Sequence, residues 1–201
     1  QAYHLRWFEK HLPETGVNIR NISDQRIGLQ IAGPKARDVL AQLTNLDVSA
    51  EAFRFLDVKQ GEVGLCDAII QRVSYTGDLG YEIYVNSSQV VSLYQRLSGA
   101  GEAFGMRPFG MRAMMSLRLE KGFGSWLREY SPDYTPMETG LDRFVKYDKD
   151  ADFIGKAAAI AEKEKGVSRR LATFVVDVED TDVNADEPIW KDGVLVGFAT
   201  S

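Results

Sequence analysis

The sequence has few of the residues that disulfide, metal and nucleophilic sites require. Its 201 residues include one cysteine, Cys66, and two histidines, His4 and His11. A single cysteine excludes an internal disulfide, and because Cys66 lies in an apolar run we predict a small buried side chain and not a reactive thiol. The two histidines have no cysteine or carboxylate ligands at a matching spacing. We therefore predict surface histidines and no metal site.

Long apolar runs and nucleotide-binding motifs are missing as well. No run approaches the roughly 18–20 apolar residues that cross a bilayer, and no secretory signal is present. The sequence contains no GxSxG, HExxH, CxxC or GxxxxGK[ST] motif, and Gly77 and Gly80 lack the strand, loop and helix context of a dinucleotide site. The net charge of −5 disfavours nucleic acid and anionic membranes as partners. We predict no nucleic-acid partner, no membrane segment, and no FAD or NAD motif within this chain.

What the sequence does contain is an irregular mixture of helices, strands and hairpins, which predicts an α+β fold. Apolar spacing and turn residues predict helices at 3–12, 35–43, 89–97, 109–121 and 153–165. Strands are predicted at 17–22, 27–31, 55–60, 66–74, 81–85, 144–147, 171–178, 188–190 and 194–199. A change in composition near 166–169 predicts two domains, 1–166 and 167–201. Since the chain begins with Gln and ends directly after a strand, we expect a piece of a longer polypeptide.

One predicted hairpin carries a carboxylate in the middle of a strand. The segment SYTGDLGYEIYV spans residues 74–85, and strand alternation places Glu82 and Tyr84 on one face. The opposite face takes three apolar side chains, Tyr81, Ile83 and Val85. From periodicity alone, the face of Glu82 is either solvent-exposed or the floor of a binding site.

Two further segments could contribute polar groups to a pocket. In MRAMMSLRLEKG, residues 111–122, Arg118 follows Met115 by three positions and Met114 by four, so it emerges from the apolar side of a helix. It either extends to solvent or lines a pocket. The segment TPMETGL, residues 135–141, is either a constrained turn or a wall of the same pocket. A carboxylate accepts two parallel N–H bonds from an amino-pyrimidinone edge, and an arginine binds a carboxylate or carbonyl oxygen.

Five motifs in order carry a family resemblance over nearly the whole chain. SYTGDLGYEIYV, SLRLEKGF, YTPMETGLDRFVK, DFIGKAA and WKDGVLVGFATS resemble the folate-binding aminomethyltransferase family, which includes the T-protein of the glycine cleavage system. Within it, the similarity is greatest to the C-terminal folate domain of dimethylglycine and sarcosine dehydrogenases. The resemblance implies an aminomethyltransferase-type folate domain at 1–166, lacking its N-terminal part, followed at 167–201 by the start of a C-terminal β-barrel.

The resemblance also implies a tetrahydrofolate site. Glu82 would bind the pterin ring, Tyr75 would lie close to the same pocket, and Arg118 would supply a second polar contact. The strand face of Glu82 would then be a ligand floor. The family's catalytic aspartate precedes the matching region, and no residue of this sequence corresponds to it, so the catalytic residue is unassigned.

The implied activity is tetrahydrofolate-dependent one-carbon transfer, in which 5,10-methylenetetrahydrofolate forms from a methylated amine such as dimethylglycine or sarcosine. FAD would take part only if a flavin dehydrogenase domain precedes this segment in the same chain. Two alternatives stay open: a non-catalytic folate-binding or regulatory module, and a tetrahydrofolate-dependent O- or S-demethylase. The expected location is the cytoplasm, or the mitochondrial matrix in a eukaryote.

Overall fold

The computed structural model describes residues 2–201 and divides into two compact units. The first unit ends at Gly110, and the second spans Met111–Ser201. The domain boundary predicted near residue 166 lies inside the second unit and stays a prediction. Helices and strands are mixed in both units, so the predicted α+β class is confirmed. No helix among the described residues is both long and apolar enough to cross a membrane.

The first unit is built on a four-stranded antiparallel sheet whose strands follow the order β1-β4-β3-β2. The strands are β1 Arg26–Ala32, β2 Val58–Val63, β3 Cys66–Gln71 and β4 Gly80–Asn86. The helices are α1 Ala2–His11, α2 Ala36–Ala41 and α3 Val90–Glu102, the last preceded by a 3-10 turn at Ser87–Gln89. The predicted hairpin is confirmed, because β3 and β4 are consecutive and pair antiparallel through residues 68–71 and 82–85.

The core of this unit lies between one face of the sheet and helices α2 and α3. Alternation along β4 directs three fully buried side chains to that face, Tyr81, Ile83 and Val85. Leu93 and Leu97, one helical turn apart on α3, are buried against the same cluster. Each such side chain contributes about 1.5–3 kcal/mol of hydrophobic free energy. Burial of one sheet face fixes the strand register, and the register places the residues of the other face.

The second unit contains two helices and a hairpin. Its elements are α4 Met111–Glu120, a 3-10 turn Asp142–Phe144, α5 Lys156–Lys165, β5 Pro188–Lys191 and β6 Val194–Phe198. Gly166 ends α5 with φ +78, because glycine adopts this backbone region without a steric penalty.

Three predicted strands are wrong. The segments 17–22, 144–147 and 171–178 have no strand structure. Their β-branched and aromatic residues match strand propensity, but a strand needs a hydrogen-bonded neighbour. In the third segment Phe174 is 65% exposed and Val175 is fully exposed. Apolar composition therefore overpredicts strands in segments that have no hydrogen-bonded neighbour strand.

Candidate functional site

A row of three polar side chains crosses the sheet face opposite the core. Glu82 on β4 pairs directly with Gln30 on β1 and with Gln71 on β3. Residues paired in antiparallel strands lie on the same face with their Cβ atoms about 4.5–5.5 Å apart. We call Gln30, Glu82 and Gln71 the polar row. All three side chains are half-buried, which confirms the predicted alternation along β4 and shows that Glu82 is not fully solvated.

Tyr84 holds the Glu82 carboxylate in place. Its hydroxyl donates a hydrogen bond of 2.6 Å to Glu82 Oε2. That hydrogen bond, together with burial and the negative charge of Glu82, raises the pKa of Tyr84 to about 12. The hydroxyl therefore stays protonated at neutral pH and remains a donor, so the carboxylate is oriented before any ligand arrives.

Gly28 leaves the space on the sheet that the Tyr84 ring occupies. Gly28 on β1 pairs with Tyr84, and a Cβ atom at Gly28 would lie 2.8 Å from Tyr84 Cε1. Since real Cβ atoms do not approach a carbon so closely, any larger residue at position 28 would displace the ring. The ring thus lies against the β1 backbone, next to the polar row.

Tyr75 lies in the turn that leads into β4. The hydroxyl oxygens of Ser74 and Thr76, its two neighbours, are 2.7 Å apart and hydrogen-bonded, and the backbone N–H of Thr76 donates to Ser74 Oγ at 3.2 Å. The N–H of Gly33 donates to the carbonyl of Leu79 at 2.8 Å, which fastens the turn to the end of β1. Tyr75 is half-buried, and it belongs to the same unit as Glu82.

Gln30, like Gln71, is a polar residue of this face that sequence reasoning missed. Its Nε2 atom is buried and has no hydrogen-bond partner among residues 2–201. The signal that could have found it is register: once β1 and β4 pair as antiparallel neighbours, Gln30 falls directly opposite Glu82. Propensity and periodicity within one strand contain no such information.

Arg118, the third predicted site residue, belongs to the second unit. It is 1% exposed, so the alternative in which it extends to solvent is wrong. Nη1 donates to Glu129 Oε2 at 3.1 Å and to the carbonyl of Phe123 at 2.9 Å, and Nη2 donates to Ser201 Oγ at 2.7 Å. Its Nε is buried without a partner in the part of the chain that the structure describes.

Glu129, which sequence reasoning also missed, is the counter-charge of this arginine. Burial alone would raise the pKa of the Glu129 carboxyl, but hydrogen bonds from Ser201, from the N–H of Ser125 and from Thr200 lower it to about 2. The carboxylate is therefore ionised at neutral pH. Arg118 and Glu129 form a buried ion pair whose hydrogen bonds satisfy most of their polar atoms.

The segment 135–141 has the geometry of a constrained turn. The N–H of Thr135 donates to Glu138 Oε2 at 2.9 Å, and the N–H of Glu138 donates to Thr135 Oγ1 at 3.2 Å, which is the reciprocal pattern of a capping box. Arg169 binds both carboxylate oxygens of Glu138 at 2.6 and 3.2 Å. Its hydrogen bond is the main cause of the lowered pKa of Glu138, and the N–H of Thr135 adds to it. That this turn also walls a pocket stays a prediction.

The described residues contain no group of three or more His, Cys, Asp or Glu side chains arranged to hold a metal ion. The ionisable side chains of the two candidate regions are instead engaged in pairs, Glu82 with Tyr84 and Arg118 with Glu129. Such groups suit recognition of a polar organic molecule, since carboxylates and guanidinium groups form directional, charge-assisted hydrogen bonds.

Known proteins resemble this chain over most of its length. The family described as GCVT N-terminal domain matches residues 1–149. The chain is 42% identical over 203 residues to mitochondrial dimethylglycine dehydrogenase of Homo sapiens, which covers 100% of the chain and 23% of that protein. It is 32% identical over 207 residues to the mitochondrial pyruvate dehydrogenase phosphatase regulatory subunit of Mus musculus, covering 100% and 24%.

A solved structure agrees with these relatives. Glycine cleavage system aminomethyltransferase T from Bartonella henselae superposes with a TM-score of 0.62 at 28% identity, over 72% of this chain and 38% of that one. The chain spans about a quarter of the length of the two curated relatives.

Proposed function

The chain belongs to the GCVT N-terminal domain family, and we propose that it is the folate-binding domain of a tetrahydrofolate-dependent one-carbon transferase. The observation that carries this proposal is the polar row, in which Glu82 is half-buried at the centre of a sheet face and oriented by the Tyr84 hydroxyl. A carboxylate so placed fits the 2-amino and N3–H donors of a pterin, because it accepts two parallel N–H bonds.

Tyr75 supports the same assignment from the adjoining turn. The hydrogen bonds between Ser74 and Thr76 and between Gly33 and Leu79 hold that turn in one conformation, so an aromatic side chain is positioned near the start of the strand that carries Glu82. Arg118, in the second unit, is proposed as a further polar contact with folate. Its Nε is the guanidinium donor that has no partner among residues 2–201.

The proposed chemistry follows from the dimethylglycine dehydrogenase relative. A methylated amine such as dimethylglycine or sarcosine is oxidised to an iminium, and tetrahydrofolate captures its one-carbon unit as 5,10-methylenetetrahydrofolate, releasing the demethylated amine. The residues of this chain contribute binding and orientation, which convert a bimolecular capture into one between positioned partners. A mostly apolar pocket would also protect the iminium from water.

The proposed oxidation of the amine needs a group that residues 1–201 do not provide. We propose that a flavin dehydrogenase domain of the same chain carries out this oxidation with FAD. We also propose that residues 167–201 begin a C-terminal β-barrel after a folate domain at 1–166. The β5–β6 hairpin supports this division, since it is a two-stranded sheet separate from the larger one. The cytoplasm, or the mitochondrial matrix in a eukaryote, is the proposed location, and the mitochondrial relatives favour the second.

A second candidate is a regulatory module that binds folate without catalysis. It is favoured by the similarity to a phosphatase regulatory subunit, which covers 100% of this chain.

Product analysis separates the two candidates. The full-length protein, with the proposed flavin domain and its FAD, is incubated with tetrahydrofolate and with dimethylglycine or sarcosine, and 5,10-methylenetetrahydrofolate is quantified against free formaldehyde. The transferase proposal predicts methylenetetrahydrofolate in near-stoichiometric yield with demethylated amine. Folate binding without turnover would contradict the transferase and support the regulatory module.

A further inference from the structure

Gln30 and Glu82 together offer more than a carboxylate. The two residues are direct cross-strand partners of β1 and β4, so their side chains leave the sheet side by side on one face. Glu82 presents two acceptor oxygens, one of which also accepts from Tyr84. A carboxylate oxygen has two lone pairs, and it can accept a second bond while the first is in place. Gln30 adds an amide with two N–H donors next to these acceptors.

No hydrogen bond from the Gln30 Nε2 atom supports the described fold. This atom is buried without a hydrogen-bond partner among residues 2–201, and an unpaired buried N–H opposes folding. A leucine of similar size would avoid that cost. The side chain as a whole is half-buried, and the terminal torsion of glutamine is broad. A turn about this torsion therefore brings an N–H to the open side of the face.

The order of these groups matches one heterocyclic edge. Along the polar row, Glu82 presents two hydrogen-bond acceptors and Gln30, next to it, presents a donor. A 2-amino-4-oxopteridine presents the complementary order of donor, donor, acceptor, through its 2-amino group, N3–H and C4 carbonyl. A 2,4-diaminopteridine has an amino group at C4, which is a donor facing another donor, and its N3 carries no hydrogen to donate to Glu82. The pair therefore distinguishes the two ring types, because a mismatched buried donor is left unpaired.

We propose that Gln30 is a specificity-determining residue of the pterin site, whose amide N–H binds the C4 carbonyl and selects 4-oxo over 4-amino rings. This inference rests on the proposed folate function of Glu82. It adds a residue and a ring preference to that site, and it is confined to the first unit.

Calorimetric titration of the full chain tests the proposal with two ligands, tetrahydrofolate and its 4-amino-4-deoxy analogue. Gln30→Leu should weaken tetrahydrofolate binding about tenfold, the effect of losing one good hydrogen bond, and change binding of the 4-amino analogue less than about twofold. Gln30→Glu replaces the donor by an acceptor and should reduce the preference for the 4-oxo ring, because the 4-amino group then faces an acceptor. Gln60→Leu is the matched control, because Gln60 lies on the same sheet face but is exposed on the edge strand β2.

A thermal-unfolding readout separates recognition from a structural role. Because the Gln30 N–H is unpaired in the fold, Gln30→Leu should leave the Tm unchanged or raise it. A lowered Tm together with equal losses for both ligands would overturn the inference. Unchanged tetrahydrofolate affinity in Gln30→Leu would overturn it too, while leaving the proposed function of Glu82 intact. Failure of the unsubstituted full chain to bind tetrahydrofolate would contradict the proposed function itself.

Discussion

At the scale of single residues, the site region depends on a hydrogen bond whose donor must stay protonated. The Tyr84 hydroxyl lies 2.6 Å from Glu82 Oε2 and orients the carboxylate that we assign to pterin binding. Charge-assisted bonds of this kind are about twice as strong as neutral ones. The consequence is a carboxylate with little rotational freedom to lose when a ligand binds.

Tyr84→Phe should weaken tetrahydrofolate binding about three- to tenfold, because the Glu82 carboxylate is then no longer oriented in advance and ordering one side chain on binding costs roughly 0.5–1.5 kcal/mol. The pKa of Tyr84 is raised from 10.0 to about 12, so the stability that its hydrogen bond to Glu82 contributes is complete below pH 10 and is lost as the pH rises to about 12. Chemical denaturation at several pH values between 9 and 12 measures the contribution of this hydrogen bond to the free energy of unfolding. The stability advantage of the unsubstituted protein over Tyr84→Phe should shrink across that range, and a constant difference would contradict the assignment.

The buried pair of Arg118 and Glu129 makes the opposite pH prediction. Glu129→Gln leaves the Arg118 charge without its counter-ion and should destabilise the protein by about 3–5 kcal/mol at pH 7. The pKa of Glu129 is lowered from 4.5 to about 2, so this stability is present above pH 4.5 and is lost as the pH falls through 2. Urea unfolding of the unsubstituted protein and of Glu129→Gln at pH 7 and pH 2.5 measures this, and the difference in their free energies of unfolding should be smaller at pH 2.5.

The control for this pair is Glu120→Gln, an exposed acid at the end of α4, which should change stability by less than about 0.5 kcal/mol. An effect of Glu129→Gln no larger than that of the control would show that the ion pair does not stabilise the unit. A double change, Arg118→Met with Glu129→Leu, should cost less than Glu129→Gln alone, because no unpaired charge remains.

At the scale of elements, close backbone packing places the turn that carries Tyr75. Gly80 begins β4, and a Cβ atom there would lie 2.7 Å from Ser74 Cβ and 2.9 Å from the carbonyl oxygen of Ile31. The second of these neighbours is backbone and cannot move without disturbing β1. The turn between Ser74 and Gly80 is therefore held against the sheet by contacts that only a glycine permits.

Gly80→Ala should destabilise the protein by about 1–3 kcal/mol, the usual cost of forcing extra atoms into a packed region. Gly99→Ala is the matched control, since Gly99 is inside α3 with nothing within 4 Å of the added Cβ. That substitution should stabilise by about 0.5–1 kcal/mol through helix propensity. Thermal unfolding of both variants is the measurement. Equal effects of the two changes would show that the close approach at Gly80 is not structurally important.

Periodicity predicted the elements well where local rules decide them. All five predicted helices are present with shifted ends, because helix signals such as the glycine at 166 are local. The segment 171–178 shows the limit: its residues are strand-like, but pairing depends on a neighbour that local sequence does not reveal. Likewise, alternation found the face of Glu82, whereas the neighbour Gln30 emerged only from the register of β1 against β4.

At the scale of the whole molecule, long-range contacts set the environment of residues that the motifs point to. The sequence indicated Arg118, but its side-chain partners are Glu129, eleven residues away, and Ser201, eighty-three residues away. No pattern within the helix predicts either. Motif order was more informative than any single spacing: five motifs indicated the family, and the match of residues 1–149 confirms it.

The central claim is that Glu82 binds the pterin ring of a reduced folate, and one calorimetric titration tests it. Tetrahydrofolate is titrated into the full chain, into Glu82→Ala, and into Glu62→Ala, an exposed carboxylate on the same sheet face. We expect micromolar or tighter binding to the full chain, a loss of at least about 100-fold (about 2.7 kcal/mol) in Glu82→Ala with an unchanged Tm, and a change below about twofold in the control. Equal affinity of the full chain and Glu82→Ala would contradict the claim.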